Sequence, residues 1–281
     1  MEDPLSIAKS DRGVMLGLHA VVVFCLLLGI FHVAHLVVSF PLTRVKGKSK
    51  QTYVAFILKD LAAALLTSSL AFSAIRKIWY TIDWTWSCAD LGDNVMTIRL
   101  PDIAIAAGGC ALGHFACNCW YILWHFSALE KEADNMTLVL TFLHNVACSV
   151  FWSYGLLADR SALFILGCMC MEVTNVGCSL FCLVRKLEFA SGEAYVRVLW
   201  VALLAVARIM PMPWFGQAYV HLHFSQPSCG FHRQEWTLSM LMVPVSFLVP
   251  LVSFHKMYTS KKITSGSSDF LQDKQERKKK Q

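Results

Sequence analysis

The chain has 281 residues, 56% of them hydrophobic and only 16% charged, with a mean hydropathy of +0.51. Soluble domains carry roughly 25% charged residues, so an ordinary soluble globular fold is excluded. The net charge of +6 does not imply nucleic acid, because the basic residues fall in loops and a tail, where they orient a membrane protein.

A bilayer span needs about 20 largely apolar residues. Taken in chain order, such stretches are predicted over 14–40, 53–75, 102–127, 136–158, 162–184, 195–222 and 237–257. The expected fold class is all-α, a multi-pass transmembrane helical bundle of about seven spans. The first stretch is too long for a signal peptide and lacks a small-residue cleavage site, so it reads as a retained span. Residues 1–49 then form a lumenal N-terminus, the first span and a basic cytosolic loop. Residues 50–258 form a six-helix transmembrane domain. Residues 259–281, rich in Ser, Lys, Gln and Gly, form a disordered basic cytosolic tail.

Charge asymmetry sets the orientation. Arg44, Lys46, Lys48 and Lys50 follow span one, Lys131 follows span three, and Arg185, Lys186 and Arg197 follow span five. The tail adds Lys256, Lys261, Lys262, Lys274, Arg277, Lys278, Lys279 and Lys280. The positive-inside rule puts these in the cytosol and the N-terminus in the lumen. Lys278 and Lys279 occupy the dilysine positions of a retrieval signal, which coat machinery reads as an address to the endoplasmic reticulum. The sequon Asn135-Met136-Thr137 falls on the cytosolic side and is expected to be unmodified. Cys88 and Cys229 fall in lumenal loops, where disulfides are permitted; a bridge between them and two free thiols are equally open readings. The other nine cysteines lie within spans as small packing residues. Cys117 and Cys119, like Cys168 and Cys170, are two apart on a helix and diverge, so no metal site is expected.

Polar groups inside spans are costly, about 2.5–3.5 kcal/mol per charged residue at mid-helix, and they mark candidate sites. His114 and Asn118 in span three are four apart and share a face. His144 and Asn145 in span four are adjacent and diverge by about 100°. Glu172 and Asn175 in span five share a face. Arg208 in span six precedes Pro211 and Pro213, which kink or end a helix. Glu172 and Arg208 invite an ion pair between helices. Lys59 and Asp60 in span two are neighbours that point apart, with Lys59 expected to snorkel to the cytosolic interface. His32 and His35 share a face near the cytosolic end of span one. Trp79, Trp84, Trp86 and Trp214 fit a lumenal aromatic belt.

This order of motifs resembles the TLC family of endoplasmic reticulum membrane proteins, which includes the ceramide synthases. Gly113-His114-Phe115 to Asn118 is similar to its Gly-Tyr-Phe…Asp segment. Leu143-His144-Asn145 is similar to its His-His pair. Glu172-Val173-Thr174-Asn175 is similar to its Glu-x-Ser/Thr-polar segment, and Arg208 to a downstream intramembrane Arg. The resemblance covers roughly 50–260 and implies a helical bundle around a central cavity that admits acyl chains. His114, Asn118 and Asn145 replace the family's Tyr, Asp and second His, so a proton-transfer residue and a carboxylate are lost. A fatty-acid elongase is disfavoured, because His32-Val33-Ala34-His35 lacks the final His of that cluster and lies too early.

Three functions are expected from these residues. The first is lipid handling in sphingolipid or membrane-lipid homeostasis, with His114, Asn118, His144, Asn145, Glu172, Asn175 and Arg208 lining the cavity and no cofactor. The second is a ceramide-synthase-like N-acyltransferase, with acyl-CoA as cosubstrate, His144 as base and Glu172 tuning it. The third is a receptor or scaffold cycling between endoplasmic reticulum and Golgi.

Overall fold

Apolar runs with no interior proline fold into long helices, and every regular element among the described residues is helical. The computed structural model describes residues 4–40, 45–80, 100–133, 135–158, 162–211 and 213. In chain order these form α1 (Pro4–Ser39), α2 (Lys48–Ile78), α3 (Asp102–Trp124), the short α4 (Phe126–Leu129), α5 (Asn135–Ala158), α6 (Ala162–Met171), α7 (Val173–Lys186) and α8 (Ala190–Leu204). Five stretches are long and apolar enough to cross a membrane: Asp11–Ser39, Lys48–Ile78, Asp102–Trp124, Asn135–Leu157 and Ile165–Lys186. The predicted sixth span begins within α8. The seventh, 237–257, lies outside the described residues, as do Trp84, Trp86, Trp214, Cys88, Cys229 and the tail with Lys278 and Lys279.

Local chemistry explains the helix boundaries. Gly47 opens α2 at φ +95°, a left-handed conformation that glycine adopts without a Cβ clash. The third span ends at Trp124, earlier than its apolar run suggests, because His125 leaves helical geometry at φ −113°, ψ 19°. The fifth span is two helices and not one. Around Glu172 the backbone tightens, with Glu172 N–H donating to Met169 O at 3.2 Å and Asn175 N–H to Glu172 O at 2.9 Å, the pattern of a 3₁₀ turn. After α8 the chain widens into a π turn over Ala205–Ile209, closed by Met210 N–H to Ala205 O at 2.9 Å.

Helix α2 packs against α1, α3, α6 and α7, and so occupies the middle of the described bundle. Helix α3 packs against α1 and α5, and α7 against α8. The α1–α3 contact depends on glycine. A Cβ on Gly113 would stand 2.5 Å from Ala20 O and 3.0 Å from Phe24 N, so only a hydrogen there lets the backbones approach. The two largest of four apolar clusters among the described residues surround these contacts. One joins Ala71, Ala74 and Ile78 of α2 to Ala104, Ala107 and Phe115 of α3, Trp152 and Leu156 of α5, and Ile165 and Met169 of α6. The other joins Val23, Leu27 and Phe31 of α1 to Ala55, Phe56 and Ala63 of α2 and Cys117, Tyr121 and Ile122 of α3.

Candidate functional site

Lys59, which sequence reasoning sent to the interface, lies instead at the centre of the bundle. Lys59 does not snorkel: its side chain is 0% exposed. Its ammonium donates a hydrogen bond to the side-chain oxygen of Asn118 across the α2–α3 contact. It also reaches its own neighbour, with Nζ 2.8 Å from Asp60 Oδ1. Adjacent helical residues diverge at Cβ, but the flexible four-carbon lysine stem folds back far enough to close an ion pair. Phe56 and Tyr121 flank the ammonium, their ring centroids 4.3 and 5.5 Å away, a cation–π setting that helps hold a charge out of water.

Asn118 and His114 do share a face, and they are bonded. The Asn118 amide nitrogen donates to His114 Nε2 at 3.2 Å. Since Asn118 Oδ1 is the acceptor for Lys59, the amide orientation is fixed by its two partners. A neutral His114 then carries its proton on Nδ1, which lies 3.9 Å from Asp60 Oδ1. That gap is too long for a hydrogen bond. His114 Nδ1 is buried without a hydrogen-bond partner among the described residues, while Asp60 Oδ1 is held in its ion pair with Lys59. Asp60 retains 23% side-chain exposure, so this gap is the open end of the chain Lys59–Asn118–His114.

The second group comes from α5, the α6–α7 turn and the π turn. Glu172 is buried, and Asn175 donates to its Oε2 at 2.5 Å. The expected Glu172–Arg208 ion pair is not formed. Arg208 is buried, lies within electrostatic range of Glu172 and His144, and has an unpartnered Nε among the described residues. The Glu172 carboxylate is held instead by Asn175 in the following turn. His144 is only partly buried and packs edge-on to Phe115, with ring nitrogens 3.6 and 3.7 Å from Cys148 Sγ. Asn145 diverges from it, is buried, and leaves its amide nitrogen unpartnered among the described residues.

All seven residues singled out by sequence are thus placed: His114 and Asn118 with Lys59 and Asp60, and Glu172 with Asn175 near Arg208 and His144. Asn145 is buried on α5, and its amide nitrogen bonds to neither group. The two groups face each other at longer range, His114 being within electrostatic reach of His144 and Glu172 of Asp60. Lys59 and Asp60 were legible as costly charges in mid-span, and that cost was the signal for a central position. No group of three or more His, Cys, Asp or Glu that could hold a metal ion occurs among the described residues. The nine cysteines described are free thiols.

The arrangement offers donors and acceptors held in a low-dielectric interior. Unsatisfied buried polar groups cost about 1–3 kcal/mol each, and no bulk water is present in a bilayer to relieve them. Comparisons with protein-family models, with curated proteins and with solved structures return no match.

Proposed function

We propose that this chain is a seven-span protein of the endoplasmic reticulum membrane, lumenal at its N-terminus, that binds a lipid against the polar centre of its helical bundle. The observation that carries the reading is three buried donors of this centre with no hydrogen-bond partner among the described residues: His114 Nδ1, Asn145 Nδ2 and Arg208 Nε. Intramembrane groups of this kind usually serve a ligand or pathway. The resemblance to the TLC pattern supports a lipid over an ion, and the dilysine positions support the location. A polar headgroup or an amide-linked lipid would supply acceptors to His114, Asn145 and Arg208. Its chains would extend among the apolar residues on either side.

The test is lipid extraction from protein purified in mild detergent, with mass spectrometry of the lipid that remains bound. A defined lipid class is expected to co-purify. Glu172→Gln or Arg208→Leu should change its amount or identity at least several-fold while the variants still fold. Protein that is empty after mild extraction would sink the reading.

A second reading, N-acyl transfer from acyl-CoA, is favoured by one observation. His144 is the accessible imidazole of the cluster, while His114 is nearly enclosed. Purified protein with sphingoid base and acyl-CoA should then form ceramide, and His144→Ala should abolish it. Absence of turnover removes this reading and leaves the first intact.

A further inference from the structure

A pocket of about 350 Å³ is lined by Tyr53 of α2, Glu132 of the α4–α5 connection, and Phe181, Cys182, Arg185 and Lys186 of α7. Tyr53 lies near the start of one candidate span and Arg185 at the end of another, so the pocket sits at the level of a membrane–water interface. Exposed Lys46, Lys48 and Lys131 belong to the same end of the bundle.

The charges around the pocket are unequally compensated. Lys186 pairs with Glu132 at 2.6 Å, Lys50 with Glu188 at 3.0 Å, and Arg197 with Glu193 at 2.7 Å. Arg185 has no carboxylate partner among the described residues. Its guanidinium carbon lies over Phe181, 5.6 Å from the ring centroid, a ring that Arg197 also approaches at 5.6 Å and that packs on Trp200. A basic residue at a helix C-terminus offsets the helix dipole, and that alone accounts for a cation in the last turn of α7. It does not account for an open pocket beside that cation, floored by an aromatic ring and walled by the Tyr53 ring under Lys186 at 4.9 Å.

We propose that this pocket binds the phosphate of an anionic membrane lipid, with Arg185 as the clamp. A guanidinium presents parallel N–H donors that match two phosphate oxygens, and the Phe181 ring beside it is a cation–π partner that limits where the group can go. Lys186 is the second cation, held in reserve by Glu132. The glycerol end of the lipid would lie against Phe181 and its chains outside the helix ends. This site shares no lining residue with the polar centre, so the two are tested by different variants.

The experiment is native mass spectrometry of the full chain in detergent micelles with added phosphatidic acid or phosphatidylcholine. The parent is expected to retain phosphatidic acid over phosphatidylcholine. Arg185→Gln should weaken retention roughly tenfold, the scale of one charge-assisted contact, and Arg185→Lys should fall between. Glu132→Gln frees Lys186 and should tighten binding, which keeps the test decisive if Arg185→Gln folds poorly. Displacement by millimolar inorganic phosphate would keep the clamp and assign it to soluble phosphate esters; resistance to displacement would assign it to lipid. Equal retention of both lipids by the parent overturns the proposal. So does retention unchanged in both Arg185→Gln and Glu132→Gln.

Discussion

Helix α1 and the α6–α7 segment are both long enough to span a bilayer, yet they are used in opposite ways. The first is the more apolar, and only 22% of its most apolar 18-residue stretch is buried; for Ile165–Lys186 the figure is 72%. In water the more apolar helix would be the inner one. Here the order is inverted, because lipid is as good a solvent for Val21, Val22 and Leu26, all exposed, as a protein core would be. Lipid does not accept Lys59, Glu172 and Arg208, and these are inside. The interior of this bundle is therefore sorted by polarity and by close backbone approach, more than by hydrophobicity.

The comparison can be broken most sharply at Lys59. Lys59→Met removes the ammonium and strands Asp60 and Asn118, and should cost about 3–5 kcal/mol, read as a lowered midpoint of unfolding in detergent. Lys59→Met combined with Asp60→Asn should recover most of that loss, because no charge is left unpaired. If the single variant were as stable as the parent, Lys59 would have to be bathed in water and the inversion would be wrong at its centre.

A smaller effect is expected where helices touch through glycine. Gly113→Val places carbons against the α1 backbone and should cost about 1–3 kcal/mol by overpacking. Engineered cysteine pairs across α1 and α3 should cross-link more slowly in this variant. Cross-linking and stability equal to the parent would mean that α1 does not dock there.

The smallest effects belong to the lipid-facing side of α1. A Cβ added at Gly29 would meet nothing within 4 Å, so Gly29→Ala should be neutral or stabilising by up to about 1 kcal/mol. Val21→Ala should stay within about 0.5 kcal/mol. A loss of several kcal/mol at Val21 would show that this face is covered by protein.

How legible this was from sequence depends on the kind of signal each residue carries. Helical class and the membrane setting follow from long apolar runs, and the five described spans begin within a few residues of their predicted starts. Face-sharing pairs were legible because spacing is geometry: His114 bonds Asn118, and Glu172 bonds Asn175. Contacts set by tertiary packing were not. The sequence offers Lys59 two ways to satisfy its charge, snorkelling or a buried partner, and the choice belongs to where α3 places Asn118. Likewise the carboxylate of Glu172 has two cationic or polar claimants, and Asn175 holds it in place of Arg208. The pocket at Arg185 was hidden because its residues come from α2, α7 and a connection far apart in the chain, and each basic residue there had a sufficient role in orienting the protein.

The π turn at Ala205–Ile209 has one more consequence. Such a turn is an α-helix that has absorbed one surplus residue without twisting the segment beyond it. The same residue in a regular helix would rotate everything downstream by about 100°. Counting by threes and fours across this stretch therefore misassigns the faces of Ile209 and Met210 relative to α8. It also makes the stretch a seam: deletion of Ala207 should heal it into regular helix and be tolerated, while the same deletion in the middle of α3 would turn one half of its polar face out of the bundle.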